Sequence, residues 1–221
     1  MDSRRGNTFD RFVGDSTGGY IRHIMQDVSS TLGSGSDRIQ TPYDGAETTL
    51  DYPHVAARAL SLGLYRVPWE RLDTGRADSA TGYFSVRNFD PGGWMPLRPN
   101  AAFEERTNRD GYWGAKIVAS FSDEQLRAAV SAGEYSRPAA AQAIVRALIE
   151  RRDATVRYWF VRVTPIEHPV VRCDGADVWL TFEDYGIRPA VAGAAETAYR
   201  AYLEYASAGI GVSTLARAGE T

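Results

Sequence analysis

The stretch between Pro138 and Pro165 constrains this chain more than any other. No glycine or proline interrupts it, and Ile144, Leu148, Val156, Trp159 and Val163 recur at spacings that suit one helix face. Pro138 fits a first helical turn. The expected helix runs from near Pro138 toward Phe160. Arg146, Arg151, Arg152 and Arg157 fill its other side and, with Glu150 and Asp153 nearby, read as a solvated face.

The segments before it also read as helices. Thr107 or Asn108 can cap one that runs through Phe121, with Tyr112, Trp113, Ile117 and Phe121 on its apolar side. Ser122 through Gln125 is a capping box for a second, ending near Ala132 with Gly133 as the stop. A further helix is expected from about His54 to Leu64, with Pro53 near its start and Pro68 ending it. Strands are expected at the two ends. TFDRFV, the turn-rich GDSTGG and YIRHIM read as a hairpin that ends at Asp27. Past a break bracketed by Pro165 and Pro169, VVRC, the turn Asp174-Gly175 and ADVWLTF read as another. The segment 196–206 fits either a helix or an edge strand, and the tail beyond it reads as frayed. The fold class is therefore α+β: a mainly helical body, an N-terminal β-hairpin and a small C-terminal β element, divided as 1–165 and 166–221.

Composition narrows the function classes. With 221 residues, 43% hydrophobic and 24% charged, the chain can bury a core. A net charge of −3 disfavours a non-specific nucleic-acid binder. The one cysteine, Cys173, excludes an internal disulfide framework and any cysteine-based zinc site, and the three histidines leave little for a His-rich one. No run of about 18 apolar residues offers a membrane span. The first residues are charged and polar, so no secretory leader is expected. The chain would be cytoplasmic if Met1 is the native start, whereas export stays open if it is a piece of a longer protein.

Common catalytic motifs such as G-x-x-x-x-G-K-[ST], H-E-x-x-H and G-x-S-x-G do not occur. Asp2 and Asn7 have the spacing D-x-x-x-x-N, followed by the hairpin and Asp27. In a kinase-type site that order serves a chemistry: one Asp orients the acceptor hydroxyl, the Asn holds a metal, and a later Asp holds Mg²⁺ bridging nucleotide phosphates. On spacing alone the plainer reading is that Asp2 and Asn7 are turn residues and Asp27 ends a strand. His23 reads as a packed strand residue, and the stretch from Gly33 to Ser36 as a mobile loop or, with its backbone N–H groups free, a phosphate cradle. Trp69, Trp94, Trp113, Trp159 and Trp179 read as core or loop anchors.

RHIMQDVSSTLGSGS, with SLGLYRVPWE, YFSVRNFDPGGWMPLRPNAAFEERTNRDGYWGAKIVASFSDEQLRAAVSAGEYSRP and LIERRDATVRYWF, resembles a family of long, uncharacterised bacterial proteins. There the first stretch reads close to R-H-Y-L-I-D-F-G-S-T-L-G-S-G-S, after a catalytic-loop-like H-D-D-T-R-x-x-N-T. These motifs resemble an atypical protein-kinase-like C-terminal lobe, and the resemblance spans residues 2 to 185. It implies that Asp2 is the catalytic Asp, Asn7 the metal-binding Asn and Asp27 the Asp of Asp-Phe-Gly. Here Asp-Phe-Gly has become Asp27-Val28-Ser29, without the permissive glycine. The upstream histidine and the family's N-terminal half, with its nucleotide-covering strands and phosphate-binding lysine, have no counterpart in this sequence. Of the 25 basic residues only Lys116 is a lysine, inside an expected helix. The leading expectation is a truncated or degenerate member, inactive alone, with residual Mg²⁺ binding at Asn7 and Asp27. ATP enters only if an N-terminal lobe is supplied. The alternatives are a phosphotransferase completed by a partner lobe, and a non-enzymatic interaction module using the aromatic loop from Trp69 to Trp94.

Overall fold

Helix α5 (Pro138–Phe160) is the spine of the helical body. In this computed structural model the described residues are 7–35, 38–41, 44, 51–71, 78–79, 81–87, 89–93, 100–175, 177–187, 197–204 and 211–217. Ala140, Ile144, Ala147, Val156, Trp159 and Phe160 of α5 are buried. Two helices pack against it: α3 (Asn108–Ala119) and α4 (Asp123–Ser131). Both begin as their sequences require. Thr107 and Asp110 exchange side-chain and backbone hydrogen bonds at the start of α3, and Ser122 and Gln125 do the same for α4. The core at the α3–α5 crossing comprises Ala115, Val156, Trp159 and Phe160, with Tyr112, Ala119, Tyr158 and Tyr185 around it. Tyr112 meets Phe160 edge to face at 5.1 Å.

Among the described residues the strands form three antiparallel hairpins that share no ladder: β1 (Thr8–Asp15) with β2 (Gly18–Met25), β3 (Ile166–Asp174) with β4 (Asp177–Asp184), and β5 (Ala198–Glu204) with β6 (Gly211–Arg217). Two short helices, α1 (Tyr52–Leu60) and α2 (Ala101–Glu104), and a 3₁₀ turn (Pro68–Arg71) complete the described elements. Asn100, buried, caps α2 and reaches Thr8 Oγ1 at 3.5 Å, linking the first strand to the start of α2.

Several sequence expectations change here. The apolar side expected for α3 is largely outside: Trp113 is 62% exposed, and Ile117 and Phe121 are also exposed. The helix instead turns Ala115 inward, because Gly111 and Ala115 leave room for the Trp159 indole. Helix α1 stops at Leu60, short of Leu64, as the backbone turns left-handed at Leu62 (φ 52°) and Gly63 (φ 85°), well before Pro68. Its apolar residues Val55 and Leu60 face solvent. The turn after α4 places its positive φ at Glu134 rather than Gly133. Pro169 lies inside β3, at a bulge between Glu167 and Val170 where His168 has φ 52°, so the strand begins earlier than the prolines suggested. The segment after Thr197 is a strand, and part of the tail expected to fray pairs with it as β6. Arg151 and Arg152 are not solvated. Arg151 Nε donates to the Ser85 carbonyl at 2.8 Å and its guanidinium lies over the Phe84 and Phe89 rings at 4.3 and 4.8 Å. Arg152 pairs with Asp123 at 2.8 Å and donates to the Phe121 carbonyl at 2.9 Å.

Candidate functional site

The β1–β2 hairpin decides where Asn7 and Asp27 go. Its register runs from Thr8↔Met25 to Asp15↔Gly18, and Asp15 Oδ1 closes the tip by accepting from the Thr17 N–H at 2.8 Å and hydroxyl at 2.6 Å. At the open end the Gln26 N–H donates to the Asn7 carbonyl at 2.8 Å. Asn7 and Asp27, twenty positions apart, thus sit at adjoining places at the hairpin base. Asp2 lies outside the described residues.

Asp27 has a left-handed backbone, with φ 55°. Among non-glycine residues Asp and Asn tolerate this region best, still at a cost. Its carboxylate Oδ1 accepts from the Ser29 hydroxyl at 2.5 Å and the Ser29 N–H at 3.3 Å, a local turn that holds the conformation. Oδ2 has no partner among the described residues, and the side chain is exposed. Val28, where the resemblance has Phe, is 64% exposed. A carboxylate and an amide oxygen are hard donors of the kind Mg²⁺ accepts, with water filling the remaining positions. Among the described residues no group of three or more His, Cys, Asp or Glu is placed to hold a metal ion.

In the glycine-rich segment that follows, Gly33 to Gly35 are tied into local backbone hydrogen bonds, and Ser36 lies outside the described residues. The Ser34 N–H donates to the Thr31 carbonyl at 2.9 Å, the Gly35 N–H to Arg38 at 2.7 Å and the Gln40 N–H to Gly33 at 2.7 Å. A Cβ at Gly33 (φ 94°) would lie 2.0 Å from the Thr81 carbonyl oxygen, and one at Gly82 (φ 73°) 2.1 Å from that of Gly33. These glycines are there for backbone-to-backbone packing. With the Ser34 and Gly35 N–H groups spent internally, they do not cradle phosphate in this arrangement. His23 also departs from expectation: it is exposed and meets Asp10 across the hairpin at 2.6 Å. Of the tryptophans, Trp159 is buried while Trp179, like Trp113, is exposed; Trp94 lies outside the described residues. In the aromatic loop Phe84 and Phe89 hold Arg151, which pins that part of the loop to α5.

A cluster that the sequence did not disclose lies where α3 meets β3. Lys116 Nζ is 2.7 Å from Glu167 Oε1, and the Tyr112 hydroxyl donates to the same oxygen at 2.8 Å. The ammonium also lies over the rings of Trp113, Tyr185 and Tyr112, at 4.8, 5.5 and 5.6 Å. Only 16% of the lysine side chain is exposed. Lys116 and then Tyr112 hold the Glu167 carboxyl below the usual range, while burial and the Glu167 bond push the Tyr112 phenol well above its own. The uniqueness of the lysine was the available signal, but its partners are 51 to 69 positions away in sequence or hidden on the same helix. No family model, curated protein or solved structure matches the chain.

Proposed function

We propose that this chain is a kinase-C-lobe-like module that transfers no phosphate on its own and keeps a weak divalent-cation site at Asn7 and Asp27. The observation that carries the reading is the hairpin base. It sets an amide and a carboxylate at adjoining positions and holds the carboxylate on a left-handed residue, a backbone state that clusters at ligand sites. In this reading Asn7 and Asp27 hold Mg²⁺ through few protein ligands, as Mg²⁺ sites built to share the metal with phosphates do, and Asp2 orients an acceptor hydroxyl. Lys116 supports the inactivity of the isolated chain. The sole lysine is held by Glu167 on the α3–β3 seam, and neither Asn7 nor Asp27 is among its partners. A nucleotide phosphate clamp would therefore have to come from arginines or from another lobe.

A second reading, a phosphotransferase completed by a partner lobe, is favoured by one feature. Both faces of the β1–β2 hairpin expose large apolar side chains, Phe9 on one and Phe12, Ile21 and Met25 on the other. The test is a melting curve with Mg²⁺ or Mn²⁺, with and without ATP, on wild type and Asp27→Asn. Asparagine keeps the left-handed backbone and the Ser29 contact and removes only the charge. A rise in melting temperature with metal, lost in Asp27→Asn, is expected. Phosphate transfer from ATP by the isolated chain, abolished by Asp27→Asn, would overturn the inactive reading in favour of an intact kinase-type site.

A further inference from the structure

The alternation of β-strands sorts the first hairpin into two faces that handle charge in opposite ways. On one face Asp10 lies opposite His23, and the two side chains meet at 2.6 Å. On the other, the cross-strand pairs are Phe9↔Ile24, Arg11↔Arg22 and Val13↔Tyr20. Two arginines thus stand directly opposite each other, an arrangement that destabilises a ladder. A two-stranded hairpin has little stability to lose.

Among the described residues no carboxylate pairs with either arginine. Arg22 leans along its own strand, its Nη2 donating to the Tyr20 hydroxyl at 2.9 Å. Arg11 has no hydrogen bond or ion pair among the described residues. The acid on the same face, Asp15, sits at the tip, where Thr17 occupies it and holds its pKa low. Phe9 and Tyr20 flank the arginines and are exposed, while Val13 and Ile24 are half-buried. Arginine and aromatic side chains together are the composition that carries binding energy at protein interfaces.

We propose that the hairpin face bearing Phe9, Arg11, Val13, Tyr20, Arg22 and Ile24 is a docking surface for an acidic protein segment. The occupant presents two carboxylates to the two guanidinium forks and apolar side chains to the flanking pairs. Each fork can take one carboxylate through two parallel N–H bonds, which turns the cross-strand repulsion into binding. A nucleic acid is the less suitable occupant, because the chain carries a net charge of −3 and this face holds only two cations beside apolar rims. The cation reading at Asn7 and Asp27 can fail without touching this surface.

The probe is a fluorescein-labelled peptide of alternating glutamate and valine, followed by polarisation, with a glutamine-for-glutamate version and a single-stranded thymidine oligonucleotide as controls. The glutamate peptide should bind wild type, bind less at high salt, and lose about tenfold or more in affinity in Arg11→Glu and in Arg22→Glu. Each variant also puts a carboxylate opposite the remaining arginine, so amide exchange across β1–β2 should slow while binding falls. That opposition of hairpin stability and affinity separates a lost docking site from a misfolded hairpin. Absence of binding to wild type, equal binding of the glutamine peptide or of either variant, or tighter binding of the oligonucleotide would overturn the proposal.

Discussion

The close crossing of α3 and α5 depends on a side chain that is not there. A Cβ at Gly111 would lie 2.2 Å from the Trp159 indole, which is buried and cannot retreat. Alanine normally stabilises a helix interior by about 1 kcal/mol over glycine, but overpacking a core costs about 1–3 kcal/mol. The clash should win, so Gly111→Ala is expected to lower the urea midpoint of unfolding, whereas a gain in stability would show that the crossing can relax. Lys116 and Glu167 give a second residue-scale test. A double-mutant cycle to alanine should return a coupling of about 1 kcal/mol, at the upper end for ion pairs because the pair is mostly covered. The Glu167 carboxyl is held below its ordinary value by Lys116, then Tyr112. An acid with a depressed folded pKa contributes stability that is present above its unfolded value, about pH 4, and lost as pH falls through the folded one. Wild type should therefore lose more stability than Glu167→Gln between neutral pH and about pH 3, as read by urea unfolding at each pH. Parallel acid profiles for the two proteins would remove the pair from the account.

At the scale of elements, the sequence was most legible where local chemistry alone decides. Thr107 and Ser122 announce α3 and α4 because a capping box is read from four consecutive residues, and both boxes form. Thr107→Ala and Ser122→Ala should each cost about 1 kcal/mol in thermal or urea unfolding, and an effect near zero would mean that tertiary packing alone fixes these starts. The first two hairpins were legible for the same reason, through turn residues between alternating runs, whereas the third was not, since its first strand fitted a helix equally well and its second falls in the tail expected to fray. Legibility failed where the answer depends on distant partners. Which face of α3 goes inward is set by the Trp159 indole against Gly111, a contact that the period of apolar residues could not reveal. Arg151 looked like one of four solvated arginines until Phe84, Phe89 and the Ser85 carbonyl were brought to it from 62 to 67 positions away. The bulge at His168 and Pro169 defeats a simple strand rule, because an extra residue there absorbs the proline that would otherwise end the ladder.

At the scale of the molecule, the well-packed part is the α3–α4–α5 body, and the apolar residues of α1 and β1–β2 lie largely outside it. Leu62 after α1 is 92% exposed, and the first hairpin carries apolar groups on both faces. Contiguous apolar exposure is a common mark of interaction surfaces, and that is the ground on which the docking face of the hairpin is proposed. The candidate site sits on that outer part, at the base of the hairpin. The sequence order singled out Asn7 and Asp27, and their adjoining placement follows from the hairpin register, while Asp2 lies outside the described residues. The left-handed Asp27 could not be read, since it follows from the turn to Ser29 rather than from any motif. The central claim, a residual cation site there, is tested most directly by isothermal titration of Mn²⁺ into wild type and Asp27→Asn. The account predicts weak, saturable binding by wild type that disappears when the Asp27 charge is removed. Identical isotherms for the two proteins, or no binding to either, would contradict it.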